Sequence, residues 1–158
     1  MGTSKVLVTG ATGYIGGWVV KYLLEEGYEV NITVRNKSNE EKYAHLTKLA
    51  EESKGALHVY EADLLNAESF AEPMKDCDVL FHIASPFIIN NIKDPQNQLI
   101  NPALEGTRNV LNAVNQTETV KRVVLTSSTV AICGDNADMK DQGLSALTEQ
   151  NWNTTSNL

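Results

Sequence analysis

Three glycines at the spacing Gly10-x-x-Gly13-x-x-Gly16 constrain this chain more than any other feature, because of what flanks them. Before them runs an apolar, β-branched segment, Lys5-Val-Leu-Val-Thr9, and after them the apolar residues recur at helical spacing. Ile15, Val19 and Leu23 form one helical row, Val20 and Leu24 another, and Gly27 is a fitting helix stop. A strand that turns on glycine into a helix aims that helix's unpaired N–H groups and positive dipole end at one place, which suits phosphate. The first glycine permits the bend, the second lets a pyrophosphate approach the backbone, and the third lets helix and strand pack closely. A P-loop would end in Gly-Lys-Ser/Thr. This turn runs Gly16-Gly17-Trp18, which excludes a P-loop NTPase.

The rest of the chain repeats the alternation. Strands are expected at residues 29–34, 57–61, 78–83 and 122–126, the fourth being a nearly continuous apolar run of the kind that parallel sheets bury on both faces. Helices are expected at 41–52, ended by Gly55, at 67–74, closing at Pro73, and at 97–114, where Leu99, Ala103, Thr107, Leu111 and Val114 share one face. This rhythm predicts an α/β fold: a doubly wound parallel sheet of the Rossmann type, truncated after about the fifth strand. Residues 1–133 are assigned to the dinucleotide-binding domain. Residues 134–158, rich in Asn, Asp, Gln, Ser and Thr and poor in periodicity, are assigned to a loop-rich tail.

Composition narrows the function classes. With 158 residues, 42% of them hydrophobic and 21% charged, the chain reads as one ordinary globular domain. A formal charge of -7 and the lack of a basic stripe argue against nucleic acid. No segment approaches the run of about 18 apolar residues that spans a membrane. The start, Met1-Gly2-Thr3-Ser4-Lys5, has no signal-peptide core, and Val6 stands where a myristoylation motif wants Ser or Thr. Cys77 and Cys133 fit neither a redox pair nor a metal-ligand spacing, so two free thiols, no metal site and a cytoplasmic location are expected. Without secretion, the sequons at Asn31, Asn115 and Asn153 carry no weight.

The end of the second strand selects the dinucleotide. NAD-binding versions place a carboxylate there to hold the free ribose hydroxyls. Here the chain reads Thr33-Val34-Arg35-Asn36-Lys37, with no carboxylate until Glu40. A guanidinium can grip a 2′-phosphate through two parallel hydrogen bonds, where an Asp would repel it. NADP is therefore the expected cofactor.

Thr9-Gly10-Ala11-Thr12-Gly13-Tyr14-Ile15-Gly16 closely resembles the fingerprint of the extended short-chain dehydrogenases/reductases, and the chain up to about Trp152 is similar to their dihydroflavonol, cinnamoyl-CoA and aldehyde/ketone reductase branch. The resemblance implies cofactor contacts at Gly10, Thr12, Gly13, Tyr14, Ile15 and Gly16, with Arg35 and Lys42 on the 2′-phosphate. It implies that Asp63 accepts from the adenine amino group with the Leu64 backbone beside it, and that Ile83, Ala84 and Ser85, within His82-Ile-Ala-Ser-Pro86, run along the adenine ribose. Asn101 and Gly106-Thr-Arg-Asn-Val-Leu111 resemble the family's Asn-x-x-x-x-Gly-Thr-x-Asn helix, which also helps build a dimer interface. Thr126-Ser127-Ser128 implies a catalytic Ser128 that hydrogen-bonds a substrate carbonyl.

The chain also departs from that pattern. The family's general acid is a Tyr in a Tyr-x-x-x-Lys helix, whereas the tyrosines here are Tyr14, Tyr22, Tyr28, Tyr43 and Tyr60, none with Lys four residues on. Dihydroflavonol reductases place an Asn shortly after the Ser pair; Thr129-Val-Ala-Ile-Cys133 has none, which favours general aldehyde or ketone reduction. The expectation is an NADPH-dependent carbonyl reductase, present as an N-terminal part that is inactive alone and that, with its fifth strand open, either self-associates or is only marginally stable. Two alternatives stay open: a non-catalytic NADP-binding regulatory module, and an NAD-dependent nucleotide-sugar epimerase or dehydratase.

Overall fold

Every strand is short and carries β-branched or other apolar residues on both faces, which leaves burial between two helical layers as the stable arrangement. The structure, a computed structural model, describes residues 4–86 and 91–156, with Asn136 described by its backbone alone. The chain forms two compact units, Met1–Leu125 and Thr126–Leu158. Residues 1–3, where the signal and lipidation readings fall in part, lie outside the described residues.

The first unit alternates β1 (Lys5–Thr9), α1 (Tyr14–Glu25), β2 (Glu29–Val34), α2 (Ala44–Glu51), β3 (Ala56–Glu61), α3 (Ala71–Met74), β4 (Val79–His82), α4 (Asn101–Asn115) and β5 (Arg122–Leu125). The strands form one parallel sheet in the order β3-β2-β1-β4-β5. Lys5 pairs with Glu29 across β1 and β2, and Val6 with Val79 across β1 and β4. The chain therefore winds outward from β1 in one direction and then, after β3, in the other, so that β1 and β4 meet at the switch point. The expected doubly wound α/β fold is present.

Alternation along the strands splits the core into two. Val6, Val8, Val30 and Ile32 pack with Val20 and Leu24 of α1 and Leu46 of α2. On the opposite face Leu7 and Leu80 pack with Phe70, Met74, Val110 and Ala113. Asn31 is fully buried inside β2, and its amide donates to the Pro73 carbonyl at 2.7 Å, which ties the sheet to α3. Burial also pushes the neighbouring Cys77 thiol up to about 11.

Three local expectations are corrected. Residues 41–52 divide into a 3₁₀ turn, Glu40–Lys42, followed by α2, and residues 97–100 are a π-helical stretch, Gln96–Ile100, that leads into α4. The deepest stripe of α4 is Gly106, Val110 and Ala113, one residue round from the expected row, whose α4 members are only half-buried. A glycine decides this rotation. A Cβ added to Gly106 would lie 2.9 Å from Leu64 Cβ, so the helix reaches the sheet side through the one position that has no side chain. Third, the tail is not all loop. In the second unit, α5 (Asn136–Asp141) opens on a capping box in which Asp135 Oδ1 accepts from the Ala137 N–H and Asp138 Oδ2 accepts from the Asp135 N–H. The helix is too short to show periodicity, so the Asp-x-x-Asp spacing was its only signal.

Gly106→Ala weighs helix propensity against space. Alanine gains about 0.8–1 kcal/mol in a helix interior, while forcing an extra carbon into a packed contact costs about 1–3 kcal/mol. We predict a lower melting temperature for Gly106→Ala. An increase would mean that α4 and Leu64 do not pack as closely as the structure has them.

Candidate nucleotide-binding site

In a parallel sheet all strands end at the same edge, so residues that follow different strands gather there. Gly10 follows β1, Arg35 follows β2, Asp63 and Leu64 come just after β3, and Ile83, Ala84 and Ser85 follow β4. Twelve of the expected cofactor residues thus lie just after strand ends, in the turn after β1 or in the first turn of α1, and Lys42 closes the 3₁₀ turn that follows β2.

The glycine turn is shaped by close backbone approach. Gly10 has φ +73°, which favours glycine, and an added Cβ would lie 2.7 Å from the Ala84 amide nitrogen. At Gly16 an added Cβ would stand 2.2 Å from the Gly10 carbonyl oxygen, so the turn folds back onto the start of α1. At Gly13 the nearest atom would be that same oxygen at 3.3 Å, which leaves the outer side of the turn open. The first intrahelical bond of α1 runs from the Gly17 N–H to the Gly13 carbonyl. The helix has neither a side-chain N-cap nor an acidic residue in its first turn. The amides of Tyr14, Ile15 and Gly16 therefore remain as donors at the positive end of a twelve-residue helix. Thr12, Tyr14 and Ile15 are exposed around them.

A residue outside the expected set organises this edge. The Thr9 hydroxyl accepts from the N–H groups of both Ile83 and Ala84 at 3.2 Å. Its own proton is left for His82 Nδ1, 2.7 Å away, which makes His82 a neutral imidazole carrying its proton on Nε2. Burial likewise holds His82 below its ordinary pKa of 6.5. The clamp fixes the Ile83–Ala84 backbone against Gly10. The sequence shows Thr9 only as a hydroxyl ending an apolar strand, and nothing local pairs it with His82.

The remaining expected residues are more exposed. Arg35 is exposed directly after β2, and neither it nor Lys42 makes an ion pair among the described residues. The next carboxylate along that edge is Glu61, whose Oε2 accepts from the Lys37 N–H at 2.8 Å. Asp63 is exposed and accepts from the Leu65 N–H at 2.8 Å through Oδ1, leaving Oδ2 available. The Leu64 carbonyl accepts from the Asn109 side-chain amide at 2.8 Å, an anchoring role for that asparagine in α4. Ser128 belongs to the second unit. Its Oγ accepts from the Val130 N–H at 3.3 Å and caps the 3₁₀ turn Thr129–Ala131, so its proton stays free to donate. An open groove between α2 and β3, lined by Lys37, Tyr43, Thr47, Leu57 and Tyr60 among others, contains none of the expected cofactor residues.

The donors present fit a dinucleotide phosphate: free helix N–H groups, a cradle closed to any side chain, and an unpaired guanidinium where a carboxylate would select NAD.

The neutral His82 generates a pH dependence. Below about pH 6.5 the unfolded chain takes up a proton on this residue, whereas the folded chain resists until a lower pH. The unfolded state thus binds more protons in that window, and stability rises with pH through it. We predict that His82→Gln flattens the stability profile of the first unit between pH 7 and 5, as measured by urea unfolding. An unchanged slope would remove His82 as its source.

Comparisons with known proteins place the chain in a family. The NAD dependent epimerase/dehydratase family matches residues 6–156. Anthocyanidin reductase of Arabidopsis thaliana is 39% identical over 96% of this chain and 43% of its own length. Cinnamoyl-CoA reductase CAD2 of Medicago truncatula is 47% identical over 80% of this chain and 38% of its own length. Gre2 of Candida albicans, solved in complex with NADPH, superposes with a TM-score of 0.79 at 35% identity, covering 97% of this chain and 45% of that one. The chain spans less than half the length of each of these relatives. It belongs to the NAD dependent epimerase/dehydratase family, the extended short-chain dehydrogenases/reductases, on the branch of the dihydroflavonol and cinnamoyl-CoA reductases.

Proposed function

We propose that this chain is the NADP(H)-binding part of an NADPH-dependent carbonyl reductase of the cytoplasm, acting on a small aldehyde or ketone. One observation carries the cofactor assignment: the free N–H groups of α1 and the exposed Arg35 lie along one sheet edge, with no carboxylate at the end of β2. The family's general description names NAD, but Arg35 in place of an acidic residue favours the phosphorylated form. The NADPH complex of a 35% identical relative supports the same choice. Reduction, rather than epimerisation, is supported by the reductases among the relatives.

The residues then take roles. Tyr14, Ile15 and Gly16 donate backbone N–H groups to the pyrophosphate, and Arg35, with Lys42, holds the 2′-phosphate. Asp63 accepts from the adenine amino group through its free oxygen, and the clamped Ile83–Ala84 backbone with Ser85 borders the ribose. When bound, the cofactor supplies a hydride. Ser128 donates its free proton in a hydrogen bond to the substrate carbonyl oxygen and so orients it. Ser128 cannot protonate the product, because an unassisted hydroxyl holds its proton too tightly. The tyrosine that performs this step in such enzymes has no counterpart after Tyr60 in these residues.

Two measurements test the reading. Losing a charge-assisted bidentate contact costs about 1.5–3 kcal/mol, or roughly tenfold to a hundredfold in affinity. Wild type should bind NADPH that much more tightly than NADH in calorimetry, and Arg35→Ala should erase the difference. Equal affinity of the wild type for the two would sink the NADP assignment. The 158-residue chain should also oxidise NADPH with aldehydes no faster than a heat-treated control, since general acid catalysis is worth about 10²–10⁴-fold. Robust turnover would show that a residue within these 158 supplies the proton.

A further inference from the structure

The hydrogen bonds between β1 and β4 tie the shape of the glycine edge to one proton. A hydroxyl offers one donor and two lone pairs. Thr9 uses all three: the Ile83 and Ala84 N–H groups fill the lone pairs at 3.2 Å, and its own proton goes to His82 Nδ1 at 2.7 Å. Because His82 carries its first proton on Nε2, a second can go only to Nδ1. Nδ1 would then be a donor. Thr9 Oγ would face three donors with two lone pairs, and its own proton would lose its acceptor. At least one amide must leave the hydroxyl, so the clamp as built exists only with His82 neutral.

The surroundings of His82 do not relieve that conflict. His82 shares a sheet face with Leu80, which packs toward α3 and α4, and both His82 and Thr9 are buried. The residue opposite it on β1 is Thr9, and on β5 it is Leu125. Helix α4 turns Gly106, Val110 and Ala113 inward, while its charged residues Glu105 and Arg108 are exposed and paired with each other at 2.6 Å. On α3 and the turn before it, Phe70 and Met74 are buried and Glu68 and Glu72 are exposed. Asp63, after β3, is exposed and bonded to the Leu65 N–H. Among the described residues no carboxylate stands against the ring to hold it charged, and burial is what lowers its pKa.

The amide at stake belongs to the cradle itself. An added Cβ on Gly10 would lie 2.7 Å from the Ala84 nitrogen, so the glycine turn is seated against the same N–H that Thr9 holds. We propose that Thr9 and His82 are positioning residues for the dinucleotide, and that the dinucleotide binds the chain whose His82 Nδ1 carries no proton. Where His82 is charged, binding expels that proton from Nδ1 to solvent, and Nε2 keeps its own. By linkage, the bound dinucleotide makes the ring harder to protonate by the same factor. The sign distinguishes this coupling from simple charge attraction. Negative phosphates near an imidazole favour its charged form and raise its pKa, whereas the clamp requires the pKa to fall. The coupling rests on the dinucleotide reading of the site and adds to it a control by pH.

The test follows the three histidine rings of the full 158-residue chain by ¹⁵N resonance, from pH 7.5 to 5, with and without saturating NADP⁺. The free chain should show His82 as the Nε2–H tautomer. NADP⁺ should move the protonation midpoint of His82 down by about half a pH unit or more, roughly a threefold effect, and leave His58 on β3 unmoved. Thr9→Val should weaken NADP⁺ binding about threefold to tenfold and abolish the downward movement, and Thr9→Ser should restore both. If Thr9→Val does not fold, the wild-type midpoint decides alone. Binding of NADP⁺ with the His82 midpoint unmoved or raised would overturn the inference and leave the cofactor reading standing. So would a folded Thr9→Val that binds NADP⁺ as the wild type does. Failure of the wild type to bind NADP⁺ at all would overturn both.

Discussion

The site depends on one close approach: the turn after β1 lies against the backbone that leaves β4, with room for nothing larger than hydrogen on Gly10. Parallel pairing of β1 and β4 brings the two strand ends together, and the Thr9 hydroxyl locks them by accepting from Ile83 and Ala84 while donating to His82. A buried hydroxyl with all three hydrogen bonds made is stable, and one with any missing leaves a buried polar group unpaid. The same junction is where the direction of winding reverses, and that reversal opens the crevice in which α/β sheets bind ligands. Turn, clamp and crevice are thus one feature seen at three scales.

Electrostatics at this edge is local rather than global. The chain carries a formal charge of -7, yet its glycine edge presents donors suited to an anionic group. Two of its carboxylates are engaged at the opposite ends of the strands. Glu29 pairs with Lys5 at 3.2 Å and lies 3.3 Å from His58, and Asp78 accepts from the Ser4 hydroxyl and the Lys5 N–H, which hold it below the usual carboxylate range. At the glycine edge the first turn of α1 has no acid, and Arg35 stands without a partner among the described residues. Charges beyond about 8–10 Å are largely screened at physiological salt, so the near groups decide what binds.

Much of this was legible in the sequence, and for physical reasons. Strong period changes mark β1 and α1, and a glycine turn between them admits few folds, so the fold class and the turn residues could be read directly. Arg35 could be read because a single side chain at a strand end either repels or attracts a phosphate. The rest depended on contacts between distant residues. The Thr9–His82 clamp joins positions 73 apart, and nothing local marks it. The rotation of α4 arose because Gly106 meets Leu64, a pairing that periodicity cannot foresee. The helix α5 was missed because six residues hold less than two turns, and only its capping aspartates gave it away.

The most direct test of the account is an amide spectrum of the ¹⁵N-labelled chain titrated with NADPH and, separately, with NADH. The account predicts that both cofactors move the amides of Gly10, Gly13, Tyr14, Ile15, Gly16 and Ala84, and that NADPH alone strongly moves those around Arg35. Shifts confined to the groove around Tyr43, Thr47 and Tyr60, with the glycine turn unmoved, would contradict it.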